Sequence, residues 1–147
     1  MKMNRRLFVK KACSVCMAPV TYSFLDGCTA VHYVDGTLEL SGISLSKAEF
    51  HITKDQKVSY YPYVIVRHER LEFPVCLYRF ADDSYSALLM KCTHQGTELQ
   101  AAGDHLHCPG HGSEFNNKGQ VSHGPAESNL RTFRVSVLPE RLFIELR

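Results

Sequence analysis

Apolar and polar positions alternate most clearly at the C-terminal end of the chain. Phe133, Val135 and Val137 are separated by Arg134 and Ser136. After Leu138-Pro139-Glu140-Arg141, a second alternation puts Leu142, Ile144 and Leu146 on one face. A period of two is that of a half-buried strand, so this region predicts a hairpin with one apolar and one wet face. Upstream, residues 74–80 and 85–90 are apolar-rich runs joined by the turn-forming Ala81-Asp82-Asp83-Ser84, which predicts a second hairpin. Tyr63-Val64-Ile65-Val66 is a β-branched run that follows Pro62, a strand-start marker. Between Val31 and Tyr61 the pattern is weaker. Gly36, Gly42 and Asp55 punctuate short segments such as 37–40 and 49–53, read as short strands and turns. No segment after residue 30 sustains a 3.6-residue apolar period. The expected fold is all-β, built of small antiparallel sheets with a loop-built site inserted between strands. No internal repeat and no low-complexity tract stands out.

The first 28 residues follow a different logic. Asn4-Arg5-Arg6-Leu7-Phe8-Val9-Lys10 is followed by a weakly apolar run over 12–25. That run suits a signal h-region and is shorter than the ~20 residues of a membrane-spanning helix. The pattern resembles a twin-arginine (Tat) export signal, with Arg5 and Arg6 as the pair. Leu25-Asp26-Gly27-Cys28 resembles a lipobox, in which Cys28 would be acylated; Asp26 departs from the usual small or apolar residue. Two acyl chains on one cysteine suffice to hold a folded domain at a membrane. The division expected is 1–28 as export and lipobox segment and 29–147 as one domain.

That division changes the charge. Lys2, Arg5, Arg6, Lys10 and Lys11 supply five of the 17 basic residues, and Asp26 one of the 15 acidic ones. The remainder carries 12 against 14, a net charge of −2. The basic balance thus belongs to the leader and gives no support to nucleic-acid binding. Cysteines divide likewise. Cys13, Cys16 and Cys28 precede the domain, and Cys76, Cys92 and Cys108 lie within it. Cys13-x-x-Cys16 sits inside the apolar run, without a strand–turn–helix context for redox work. Cys76 has no neighbouring Cys or His and reads as a buried structural thiol.

The chemistry is concentrated between Cys92 and His111. Cys92-Thr93-His94 and Cys108-Pro109-Gly110-His111-Gly112-Ser113 are two Cys-plus-His pairs spaced C-x-H and C-x-x-H. Two thiolates and two imidazoles can hold iron–sulfur or zinc. C-x-H is unusual for zinc, so a zinc-stabilised binding module ranks behind an iron–sulfur site. His105 and His107 are not chosen as ligands, since His107 would point away from Cys108 in an extended strand. His32, His51 and His68 are isolated.

The two pairs, with Gly124-Pro125-Ala126 downstream, resemble the ligand boxes and proline loop of Rieske [2Fe–2S] proteins. The resemblance implies a Rieske-like fold and one [2Fe–2S] cluster. Cys92 and Cys108 would hold the buried iron, with His94 and His111 on the outer iron and the Pro125 loop as cover. Neutral imidazoles in place of two thiolates raise the reduction potential into the range ~−150 to +300 mV. In quinol-oxidising members each loop carries an extra Cys, and the two form a disulfide clamp; here those positions are Thr97 and Gly110. Of the two potential-raising hydroxyls, Ser113 keeps one, and Phe115 stands where a Tyr supplies the other. Gln95 occupies a usually apolar tip position. These departures imply a lower-potential relay, with menaquinol or a protein partner rather than ubiquinol as donor.

The function expected is one-electron transfer by a lipid-anchored subunit on the outer, periplasmic face of the cytoplasmic membrane. It would pass electrons to a cytochrome or larger oxidoreductase subunit. The parent complex would be a respiratory quinol-oxidising one or a molybdenum oxidase of the arsenite-oxidase type. A stand-alone Rieske ferredoxin is the remaining electron-transfer option. A ring-hydroxylating oxygenase subunit needs a second, mononuclear iron site, for which the 36 residues after His111 leave little room. The chain is therefore read as an electron carrier and not itself as an enzyme.

Overall fold

The computed structural model describes residues 31–54 and 57–147. The expectations for Arg5, Arg6, Cys13, Cys16 and Cys28 lie outside the described residues. Within them strands supply nearly all the regular structure, the exception being one 3-10 turn. No described helix is long and apolar enough to cross a membrane.

A five-stranded sheet forms the middle of the fold. Its order is β1 (Tyr33–Asp35), β6 (Tyr63–Arg67), β7 (Val75–Arg79), β8 (Tyr85–Leu89) and β13 (Thr132–Phe133). The expected hairpin is β7–β8, and its turn holds Asp83 at φ 59°. Asp82 accepts hydrogen bonds from the Ser84 amide and hydroxyl, which fixes that turn. The sheet is buried on both faces. Val64, Val66, Val75, Leu77 and Ala87 face one core with Ile43, Phe50, Leu142 and Ile144. Tyr63, Ile65, Cys76, Tyr78 and Leu88 face a second core with Leu99, Leu106, Phe115 and the two cysteines Cys92 and Cys108. Double burial explains why Tyr63-Val64-Ile65-Val66 is apolar without alternation.

The first core is closed by a sheet ordered β14 (Val135–Val137), β15 (Arg141–Glu145), β3 (Gly42–Ser46) and β2 (Thr37–Leu38). The second is closed by β12 (Val121–His123), β11 (Glu114–Asn116), β10 (His105–His107) and β9 (Gln100–Ala102). A separate hairpin, β4 (His51–Lys54) with β5 (Lys57–Tyr60), projects with mostly exposed side chains.

Four local expectations are corrected. β1 pairs with β6 in parallel, so the sheets are not wholly antiparallel. Gly42 does not punctuate but opens a buried strand: a Cβ there would meet the Ile144 carbonyl oxygen at 2.0 Å, so only glycine lets β3 pair with β15. Glu49 and Phe50 belong to a 3-10 turn (Lys47–Phe50) capped by Ser46, not to a strand. Phe133 leaves the C-terminal hairpin to pair with Ala87 of the central sheet, and Val137, at the outer edge, is half-exposed.

Cys76 is completely buried, as expected for a structural thiol, and burial pushes it far up. The Tyr78 hydroxyl beside it is likewise pushed up by burial. It is the buried side-chain oxygen that lacks a well-formed hydrogen bond among the described residues, the thiol being a poor partner.

Candidate metal centre

Both ligand boxes are tips of hairpin-like loops resting on the second core, and they are built alike. In the first, the Cys92 amide donates to the Thr97 carbonyl at 2.8 Å, and the Gly96 amide donates to the Cys92 carbonyl at 2.8 Å. In the second, the Cys108 amide donates to the Ser113 carbonyl at 2.8 Å, and the Gly112 amide to the Cys108 carbonyl at 3.0 Å. Gly96 and Gly112 have φ 75° and 77°, where a side chain would be strained. The shared pattern is Cys-x3-Gly-Thr/Ser, a short internal repeat that matching the Cys and His positions alone passes over. Thr97 and Ser113 are equivalent in it, so a second hydroxyl stands at the site.

Each loop buries its cysteine and exposes its histidine. Cys92 and Cys108 are 2% and 1% exposed and belong to the core. His94 and His111 are exposed and meet edge-to-face with ring centroids 5.0 Å apart. Burial pushes the Cys108 thiol up. The His111 amide, the Cys92 thiol, the Gly110 amide and the Thr97 hydroxyl around its sulfur outweigh that and hold it below the ordinary thiol value. A sulfur surrounded by donors is suited to the thiolate form that ligates metal.

The cover is also in place. The Gly124–Pro125 bond is cis, and Pro125 is exposed on the loop. Ala126, next in the chain, donates its amide to the buried Ser113 hydroxyl at 3.0 Å. From the other side, the Thr93 hydroxyl donates to the Ser128 carbonyl at 2.6 Å, tying the first ligand loop to the same cover. Because Ser113 Oγ accepts from Ala126, its own hydrogen is left to donate elsewhere. Phe115 is fully buried and offers no donor. A Cβ at Gly110 would stand 3.7 Å from Thr97 Cβ, so the two absent clamp positions do face one another.

The donor set tests two occupants. The four donors divide into a buried thiol pair and an exposed imidazole pair. That division suits a two-iron cluster with one pair on each iron, rather than a tetrahedral zinc. When bound, such a cluster supplies reversible one-electron chemistry.

Comparison with known proteins agrees with the geometry. The family model of the Rieske [2Fe-2S] domain matches residues 48–134, which take in both loops, the cover and four of the five strands of the central sheet. The oxygenase component of dicamba O-demethylase from Stenotrophomonas maltophilia is 39% identical over 75 residues, covering 44% of this chain and 22% of the relative. The chain thus spans about a fifth of the length of that curated relative. Among solved structures, the plasma membrane Rieske protein PetC3 of Synechocystis PCC 6803 is similar over 57% of this chain and 86% of its own, with 25% identity and TM-score 0.51. The Sphingomonas yanoikuyae B1 ferredoxin covers 58% and 86%, with 22% identity and TM-score 0.46. With a family model matched over more than half of its length, the chain belongs to the Rieske [2Fe-2S] domain family, whose single [2Fe-2S] cluster serves electron transfer.

Proposed function

We propose that Cys92 and Cys108 ligate the inner iron and His94 and His111 the outer iron of a relay tethered outside the cytoplasmic membrane. The observation that carries the ligand assignment is the division of the site into two buried sulfurs, that of Cys108 faced by backbone amides, and two adjoining exposed imidazoles. Electrons enter and leave at the imidazole edge. A groove of about 370 Å³ beside His94, lined by Leu89, Lys91, Thr93, Gln95 and Arg131, gives a partner room to approach there. Two cations in that lining favour a partner with acidic groups.

The tether rests on the sequence: Arg5-Arg6 for Tat export and Cys28 for lipidation. Export of an already folded protein fits a cofactor that must be inserted before the thiols meet an oxidising compartment. The partner is a respiratory quinol-oxidising complex, with menaquinol as donor, or a molybdenum oxidase of the arsenite-oxidase type. The 39% identity to an oxygenase component favours a second reading, a carrier that serves an oxygenase.

The purified protein should show the visible bands and reduced-state EPR of a histidine-ligated [2Fe–2S] cluster. A colourless protein with stoichiometric zinc refutes the assignment. Changing both Arg5 and Arg6 to Lys should stop export, and Cys28→Ser should abolish incorporation of labelled fatty acid. Normal export and labelling in these variants would remove the tether. Reduction by menaquinol within a membrane complex, against reduction by a soluble oxygenase reductase, separates the two partner readings.

A further inference from the structure

The outer face of the four-stranded sheet β12–β11–β10–β9 carries a row of side chains not used by the centre described above. His107 pairs with Glu114, Glu114 pairs with His123, and on the other side His107 pairs with Gln100. Residues directly opposite across strands point to the same face, with Cβ atoms about 4.5–5.5 Å apart. Leu106, Cys108 and Phe115 point inward to the core, so their neighbours His107 and Glu114 point outward. His123 reaches this face through an irregularity. Val121 pairs with Phe115 and packs on the core, and an unbroken strand would send His123, two residues later, inward too. The register shift between Glu114 and Phe115 leaves Ser122 as the extra residue and turns His123 outward beside Glu114.

We infer that His107, Glu114 and His123 form a surface site for a divalent transition-metal ion of the Zn²⁺ or Cu²⁺ kind, separate from the iron–sulfur centre. Two imidazoles and a carboxylate are a ligand set that such ions take, with positions left for water. The central place of Glu114 suits bridging of the two flanking histidines, and Gln100 offers a further oxygen at the row's end. His107 and Glu114 are half-buried and His123 is exposed, so an ion can enter from solvent. Among the described residues His105 is engaged by Asp104 at 3.3 Å, while the three proposed ligands have no side-chain hydrogen-bond partner. No three of these donors converge on one point as the side chains stand. The strand register supplies the common face, and side-chain rotation about χ1 and χ2 closes the site.

The test uses the full-length holoprotein, oxidised so that the iron–sulfur cluster is EPR-silent, with thiols not held by iron alkylated beforehand. One equivalent of Cu²⁺ should give an EPR signal split by two imidazole nitrogens, and Zn²⁺ should displace it. Glu114→Gln and His107→Gln should each weaken Zn²⁺ binding, measured by calorimetry, by at least about tenfold. His123→Asn is the decisive variant, because His123 is exposed and lies outside the core. It should show the same loss while the cluster's visible spectrum stays unchanged. Zn²⁺ affinity in His123→Asn equal to that of the parent, or a Cu²⁺ signal without imidazole splitting, overturns the proposal.

Discussion

Replacing Thr97 and Gly110 together by cysteine should join the two ligand loops through a disulfide. The geometry permits it. The Cβ–Cβ distance of 3.7 Å falls within the about 3.5–4.5 Å span of bridged cysteines. Gly110 does not have a positive φ, so a side chain is accepted there. A Cβ at Gly110 would meet Thr97 Oγ1 at 3.1 Å, a contact that disappears with Thr97 itself, and Cys108 Sγ at an ordinary 3.7 Å.

The magnitude depends on what else ties the loops. In the cluster-free protein the bridge closes a loop of 14 residues, worth about 3 kcal/mol of unfolded-state entropy. Against this stands the loss of the Thr97 hydroxyl beside Cys108, about 1 kcal/mol. The net gain of about 2 kcal/mol corresponds to a rise in Tm of roughly 8 °C for a domain of this size. In the cluster-loaded protein the metal already joins the same loops, so the gain there should be much smaller. The assay is thermal unfolding of both forms under oxidising and reducing conditions, with mass spectrometry to count the two hydrogens lost. Two thiols that stay titratable under oxidising conditions would refute the facing of Thr97 and Gly110. An equal Tm gain with and without the cluster would refute the argument that the metal spans these loops.

Three further outcomes follow from the same geometry. Ser113→Ala should lower the midpoint potential by on the order of 50 mV in film voltammetry, since about 59 mV corresponds to 1.4 kcal/mol for one electron; an unchanged value would remove its hydroxyl from the donors that favour the reduced state. Thr93→Val should leave the midpoint nearly unchanged but speed bleaching of the visible bands under mild denaturant, because the tie from Thr93 to Ser128 is lost; bleaching at the parental rate would show that the tie does not hold the cover. Burial raises the Cys76 thiol, so in alkali the unfolded chain releases a proton that the folded one retains. Its stability contribution is therefore full below the unfolded thiol value, about 8.5, and falls by about 1.4 kcal/mol per pH unit above it. Tyr78, also raised, steepens the loss above about pH 10. Urea unfolding from pH 8 to 11 should show a shallower decline in Cys76→Val, and equal slopes would assign the alkaline loss elsewhere.

What was legible in the sequence divides along physical lines. The Cys and His boxes stand out in the sequence because coordination chemistry restricts which residues serve and the spacing is local, and the structure brings the two histidines side by side over the two buried cysteines. The β7–β8 hairpin is equally plain, since its turn chemistry and both apolar arms lie within the 17 residues 74–90. The two-core arrangement was not. The run Tyr63-Val64-Ile65-Val66 announces a fully buried strand, but nothing local tells that Ile65 faces the metal loops while Val66 faces Ile43 and Ile144. Gly42 resembles simple turn punctuation in the sequence because its need for a missing Cβ is imposed by Ile144, about 100 residues away.

The role of Thr97 was hidden for a different reason. As a vacant clamp position it registers only as an absence. Its hydroxyl becomes a donor to Cys108 only once the first loop folds back through the Gly96 amide and sets Thr97 over the second loop. Ser113, its counterpart, is placed by the same hydrogen-bond pattern but takes up the Ala126 amide of the cover. Two copies of one six-residue loop therefore do different work. Thr97 stands over the partner loop's sulfur, and Ser113 holds the cover in place with a hydrogen still to give. The asymmetry comes from what packs on each loop rather than from the loops themselves. That is why a pattern search over residues 92–113 can find both Cys–His pairs and still leave the surroundings of the two sulfurs to the tertiary structure.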